Sequence, residues 1–320
     1  MVLQRRAELM IQDKGSASMK RRQFLQLAGT TAVVMPNLAA PSSNFHGTFC
    51  LFSKHLPHLN WEQLGRTVKQ LGFGGVDLTV RGGGHVLPDR AAEDLPKAVA
   101  AIRAAGLSVP MISTNLLSAT DPAAKPILAT AGNLKIPFCK PGYYKYSSPD
   151  VRSNLAKAMQ EFAGLAALCQ QNGVQLGYHN HEGNLGAAIW DVATTMDKLD
   201  PKWVGYYFDI RHAVAEGGGG AWKSALHLAA PRLKMIAVKD SFPEKTAKGW
   251  RQKNCPLGEG AVDWKAYFKV LKQANFHGPI SLHMEYEIPG KIATEKEDNL
   301  LSAIQRDFAF LQARVNEAYQ

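Results

Sequence analysis

Cysteine is scarce and scattered in this 320-residue chain. Cys50, Cys139, Cys169 and Cys255 form no C-x-x-C pair, so neither a structural zinc site nor a disulfide framework is signalled, and buried free thiols are the simpler reading. The glycine fingerprint of a doubly wound nucleotide-binding sheet is also missing: LFSKHLPHLNW (51–61) follows the first strand-like run instead. EGGGGAW (216–222) lacks the lysine-serine/threonine ending of a P-loop and reads as a flexible loop. Positive charge is in excess, +10 overall, yet it forms no basic stripe. Residues 1–43 alone hold six Lys/Arg against two acids. The remaining excess is diffuse, so nucleic acid is not an expected partner.

The leader carries its own signal. MKRRQFLQLAG (19–29) places twin arginines before Phe-Leu and an apolar stretch through Met35, which resembles a bacterial Tat export signal. That stretch is too short to span a bilayer comfortably, so stable membrane anchoring is not expected. Small residues near Ala39 and Ala40 offer a cleavage site, and Met19 is the expected true start because nothing in 1–18 looks structural. The alternative is a fortuitous basic-apolar N-terminus. Tat export carries folded protein, so cofactor loading in the cytosol is compatible with a periplasmic destination.

What the chain has in abundance is alternation. With 46% apolar residues it can bury a large core. Short β-branched or aromatic runs at 48–53, 74–80, 107–114, 134–140, 174–181, 204–209, 233–240 and 279–286 alternate with helical periodicity at 61–71, 95–105, 122–131, 149–172, 189–199, 222–229, 264–274 and 295–317. Glycine-containing helix ends precede several strands, as in LGFGGVDL and QNGVQLG. Eight strands and eight helices close most simply into a single-domain (β/α)8 TIM barrel over 44–320, with an open doubly wound sheet as the runner-up.

In such a barrel the reacting groups project from the C-terminal strand ends. VQLGYHNHEGN (174–184) ends its strand with His179 and His181, two apart and so on one side, with Gly177 beneath them. Other strand ends supply Asp77, Arg81 and His85; Asn115; Lys140, Tyr143 and Tyr144; Asp209 and His212; Lys239 and Asp240; and His283, Glu285 and Glu287. Ionisable groups converging from so many strand ends are hard to assign to packing. Bland readings remain for single residues. His85 is a loop surface residue, Asp209 a helix cap, Lys239-Asp240 a salt-bridged strand end, and Glu287 rim support. Glu285 between Met284 and Tyr286 would be an expensive inward carboxylate unless paired or metal-bound. Tyr143, Tyr144, Trp190 and Trp250 could stack on a sugar ring or simply pack. KNCPLGEG (253–260) reads as a loop over the site that carries Glu259.

LGFGGVDLTVRGGGHV, GYHNHEGN, FDIRHA, VKDS, PLGEGAVDW and GPISLHMEYE, in this order, resemble the xylose-isomerase-like (β/α)8 barrels over residues 45–318. That family includes sugar isomerases, sugar epimerases, inosose-processing enzymes and endonuclease IV. The resemblance implies a divalent ion held by acids and a histidine from the fifth to eighth strands, with two glutamates moving protons beside a sugar carbonyl. It assigns Asp209 and Glu285 as ligands and His212 as a substrate contact. Two positions depart from the pattern: the fifth strand offers His179 and His181 where a glutamate is usual, and Ala237 replaces the usual seventh-strand histidine. An ion such as Mn, Co, Zn or Mg held by His179, Asp209, Glu285 and one of His181 or His283 is the expectation. Glu285 is the expected base, with His179 or Lys239 as second acid/base; His85, Asn115, Tyr143, His212 and Glu259 are the expected substrate contacts.

The implied activity is isomerisation or epimerisation of an unphosphorylated sugar by metal-assisted proton abstraction. Dehydration or β-elimination of a keto-sugar in the same site is the alternative. A sugar-binding barrel without activity and an endonuclease IV-like nuclease are more distant readings. Association into a homo-oligomer stays open.

Overall fold

The computed structural model describes residues 44–320; the leader and its expected signal lie outside the described residues. Strands β1 (Phe49–Phe52), β2 (Gly75–Val80), β3 (Ser108–Thr114), β4 (Phe138–Lys140), β5 (Gln175–His179), β6 (Val204–Asp209) and β7 (Leu233–Val238) are joined by an antiparallel hairpin, β8 (Asp240–Thr246) and β9 (Gly249–Cys255), to β10 (Ile280–Leu282). The eight strands other than β8 and β9 form a closed parallel barrel in which β10 lies between β7 and β1. The helices are α1 (Trp61–Gln70), α2 (Ala91–Ala104), α3 (Ala124–Asn133), α4 (Val151–Gln171), α5 (Trp190–Met196), α6 (Ile210–Ala229), α7 (Trp264–Gln273) and α8 (Ala293–Tyr319). This is the expected single (β/α)8 barrel.

Local chemistry explains the element ends. Asn60 accepts from Gln63 N while the Gln63 side chain returns a bond to Asn60 N, a reciprocal cap on α1. Asp150 and Asp263 cap α4 and α7 by accepting from the backbone three residues on. Strands β2 and β6 are buried along their whole length, as a parallel sheet covered on both faces requires.

Inside the barrel, Met111, Tyr207, Met235 and Ala237 form a small apolar plug against which Phe138 packs. Gly177 makes room for it, because a Cβ there would stand 2.2 Å from Met235 Cε. Above the plug the interior turns polar, and this change of character positions the site.

Two segments depart from the sequence reading. Residues 240–255 form a hairpin rather than a strand end and a loop. Its outer face alternates charges, with Arg251 and Lys253 both paired to Glu244, so it carries none of the apolar alternation that marks a half-buried strand. The glycine run at 216–222 is not a free loop either. It lies inside α6, whose two halves meet at Gly218 with a φ of 58°. Buried residues on both sides, Ile210 to Val214 and then Trp222, Ala225, Leu226 and Ala229, anchor the two halves, and the backbone between them leaves the helical conformation at Gly218, where intrinsic propensity is poorest.

Candidate active site

The ends of β5 and β6 are locked to each other. Asn180 donates from Nδ2 to Asp209 O at 3.0 Å, and Asp209 N donates to Asn180 Oδ1 at 2.8 Å. Asp209 is fully buried and divides its carboxylate between two tasks. Oδ1 accepts from His212 N at 3.2 Å and so caps α6. Oδ2 faces the barrel mouth, where His179 Nε2 lies at 3.3 Å, Lys239 Nζ at 3.2 Å and His212 Nε2 at 3.7 Å. The helix-cap reading of Asp209 therefore holds on one oxygen, while the other is left facing the polar groups of the mouth.

Lys239 is the hub of the charge network. Its ammonium reaches Glu285 Oε2 at 2.9 Å as well as Asp209, and Lys54 Nζ holds the other oxygen, Oε1, at 2.9 Å. Burial opposes ionisation of Glu285, but the Lys239 ammonium foremost, with Lys54, holds its carboxyl far below the usual range. Asp209 is likewise kept well below its ordinary value against burial, chiefly by the Lys239 ammonium, with the hydrogen bond from His179. The Lys239 ammonium rises because the two acids outweigh its burial. Glu285 is thus the paired inward carboxylate that its apolar sequence neighbours demanded.

The imidazoles are neutral. Burial pushes His179 down to about 3 despite Asp209, and drives His212 well down too. Next to an ionised carboxylate, which only accepts, His179 donates from Nε2. Arg211 donates from Nη1 to His212 Nδ1 at 3.1 Å, so the neutral His212 ring carries its proton on Nε2. That buried Nε2 has no hydrogen-bond partner in the protein. Arg211 is itself held by Glu182 Oε1 at 2.5 Å and Asn254 Oδ1 at 2.9 Å, and Asn254 donates to Glu285 O. His181 stacks on His212 with ring centroids 3.9 Å apart and on Tyr143 at 4.4 Å. The Tyr143 hydroxyl lies 3.5 Å from His179 Nδ1.

Among the described residues, His179, Asp209 and His212 are the acid and imidazole groups close enough to share an ion, their ligand atoms lying within 4.8 Å of one another. Two nitrogens and one oxygen suit Mn, Co or Zn. The set differs from the expected one. His212 enters it, whereas His181, Glu285 and His283 do not. Ligation also has a condition: both imidazoles must offer an unprotonated Nε2, so Arg211 must release His212 Nδ1, and Lys239 must share Asp209 Oδ2 with the ion.

A second polar layer lies on the inner face of the barrel. Asp77 accepts from Ser113 and Ser281 hydroxyls at 2.8 Å each and from Tyr207 OH at 3.2 Å. His283 belongs here: Nε2 lies 3.1 Å from Tyr207 OH and 4.0 Å from Asp77 Oδ2, and the ring stacks on Phe52. Burial raises the Asp77 carboxyl to about 6 against these three hydroxyl donors.

Other expected contacts are placed differently. His85 is not an open substrate contact, because Nδ1 faces Thr79 Oγ1 and Nε2 faces Leu56 O, which ties the loops after β1 and β2 together. Asn115 is exposed after β3. Glu259 lines a cavity of about 790 Å³ bounded by the hairpin, the segment after β10 and α8, with Asn254 on its wall. Asp240, beside Lys239, is structural: it accepts from the backbone of Ser241, Gly258, Gly260 and Val262 and from Trp264 Nε1, and so pins the PLGEG loop. Tyr144 packs in the core, its hydroxyl bonded to Leu117 O. Trp250 is exposed on the hairpin. Lys54, Asn180, Arg211 and Asn254 were not foreseen; Asn180 and Arg211 stood inside the quoted motifs, but their role depends on the neighbouring strand.

The family model for the xylose isomerase-like TIM barrel matches residues 66–313. The chain belongs to this family. An inosose dehydratase of Clostridium perfringens is 28% identical over 134 residues, 38% of this chain and 44% of that protein, so the chain spans about half the length of the curated relatives it matches. The crystal structure of a D-psicose 3-epimerase in the presence of D-fructose superposes with a TM-score of 0.63 at 15% identity, over 84% of this chain and 99% of that one. A xylose isomerase-like TIM barrel protein from Mycobacterium smegmatis in complex with magnesium gives 0.60 at 14% identity, over 82% and 98%. At such identities these xylose isomerase-like structures share the fold.

Proposed function

We propose that this protein is a sugar isomerase or epimerase that removes a proton from the carbon beside the carbonyl of an unphosphorylated sugar. The observation that carries the reading is the Lys239 ammonium held between the Asp209 and Glu285 carboxylates at the barrel mouth. A carbon acid of this kind needs a base near the C–H and positive charge near the oxygen that becomes an enolate. Glu285 is ionised and ready to accept a proton. Its basicity is restrained by Lys239 and Lys54, and it rises as the substrate oxygen draws Lys239 toward itself, which couples binding to base strength. His212 Nε2–H, unpartnered and buried, is a donor for a second substrate oxygen. Tyr143 and His181 offer ring faces beside it.

A divalent ion at His179, Asp209 and His212 would supply Lewis-acid stabilisation of oxygen charge. The similarity to inosose dehydratases supports a second reading: the same proton removal followed by loss of a β-hydroxyl. Solvent deuterium incorporation into a ketose tests the shared step, and product mass separates epimer from dehydrated product. No exchange into any ketose or inosose would refute both. We further propose periplasmic residence through the Tat route, supported by Arg21 and Arg22. Cell fractionation of an Arg21→Lys, Arg22→Lys double variant should show cytosolic retention.

A further inference from the structure

Lys140 ends β4 and takes no part in the network around Lys239. Phe138, two residues earlier, packs on the interior plug, so the alternation of a strand turns Lys140 inward as well. Its register partner Ser113 also points inward, to Asp77. The ammonium lies 3.6 Å from the centroid of the Tyr143 ring, whose hydroxyl is beside His179. Lys140 is only 2% exposed, and its Nζ has no hydrogen-bond partner. A buried amine with no acceptor is costly, and folding alone gives no reason to keep it.

Position supplies the reason. Around the closed barrel β4 is followed by β5, β6, β7 and then β10, so β4 and β10 stand on opposite walls. Glu285 follows the end of β10, and Lys140 is the last residue of β4. Inverting a carbon requires a proton to leave by one face and return by the other. The proposed function gives Glu285 the first task and leaves the second unassigned.

We propose that Lys140 is the catalytic acid/base that faces Glu285 across the barrel mouth and protonates the opposite face of the substrate carbon. This rests on the epimerase reading. In one direction the Glu285 carboxylate takes the C–H proton, and the bonding pair moves into the enediolate. That pair then takes a proton from the Lys140 ammonium, leaving a neutral amine and a protonated Glu285. Exchange with water resets both, and no redox partner is needed. In reverse, the amine abstracts and Glu285 donates. Burial foremost, with help from Arg81, lowers Lys140 to about 7, so both of its forms are present at neutral pH.

The test follows a ketohexose in D2O with the full-length protein. Lys140→Met should still wash deuterium into the starting sugar through Glu285, while epimer formation falls by about 100-fold or more. Glu285→Gln should lose both. Methionine fills the same space without an unpaired amine, so the Lys140→Met midpoint temperature should not fall. Epimer formation within threefold of wild type would overturn the proposal. So would joint loss of exchange and inversion in a variant of undiminished stability. A wild type that exchanges no deuterium at all would remove the epimerase reading first, and this proposal with it.

Discussion

Replacing Lys239 with methionine removes an ammonium that lies within 3.2 Å of both Asp209 and Glu285. Asp209 is fully buried, and breaking a buried pair by deleting one partner costs about 3–5 kcal/mol. For a domain of this size that is a fall in midpoint temperature of about 5–9 °C near neutral pH. The pH dependence follows from the direction of the shifts. In the native protein the Asp209 and Glu285 carboxyls are held below their unfolded values, so they contribute stability above those values, and it is lost only in strong acid. Without Lys239, burial dominates at Asp209 and pulls its carboxyl upward, while Lys54 still holds Glu285, so the variant carries its penalty at neutral pH and sheds it by protonation of Asp209 as the pH falls. The gap between variant and wild type should therefore be widest near pH 7.5 and narrow steadily toward pH 4.5 in paired calorimetric scans. Added Mn2+ should raise the variant midpoint more than that of the wild type, because the ion restores positive charge beside Asp209 Oδ2 without competing with the ammonium. A variant within 1 °C of wild type at pH 7.5, or an equal loss at both pH values, would show that the carboxylates do not depend on Lys239.

Three further outcomes can be measured. Arg211→Met frees His212 Nδ1 to carry the proton, so Mn2+ affinity by titration calorimetry should tighten by about tenfold; weaker binding would count against the tautomer argument. Asp77 has a folded value near 6 against 3.8 unfolded, so its contribution to stability is full below 3.8 and is lost as the pH rises through 6; Asp77→Asn should raise the unfolding free energy by about 3 kcal/mol at pH 8 but not at pH 3.5, read from denaturant titrations. Asp240→Ala strands at least four donors, a loss of at least about 4 kcal/mol, and should open residues 256–263 to limited proteolysis.

The barrel was legible because its signals are local. Glycine-marked helix ends followed by apolar runs such as Val174 to Tyr178 fix strand positions, and strand ends follow directly. The hairpin was not, because its two charged strands stabilise each other through Glu244 contacts seven to nine residues apart, and Pro243 in its first strand argues against strand at all. Within the site, His179, Asp209, Lys239 and Glu285 were singled out from their strand ends. Their connections were not legible: whether a lysine between two acids replaces or accompanies an ion depends on how three strands register. His85 and His283 had the same sequence signature as His179, yet one ties two loops together and the other joins the inner layer around Asp77, because burial decides a histidine's partners.

The hairpin departs and returns at a single rung, Asp240 opposite Cys255, and Asp240 is clamped independently by the PLGEG loop. Its two feet therefore stay fixed whatever lies between them. Lengthening, trimming or grafting the outer part of this arm, beyond the Ser241–Asn254 rung whose Asn254 holds Arg211 and the Glu285 carbonyl, would reshape its tip and leave the charged floor as it is.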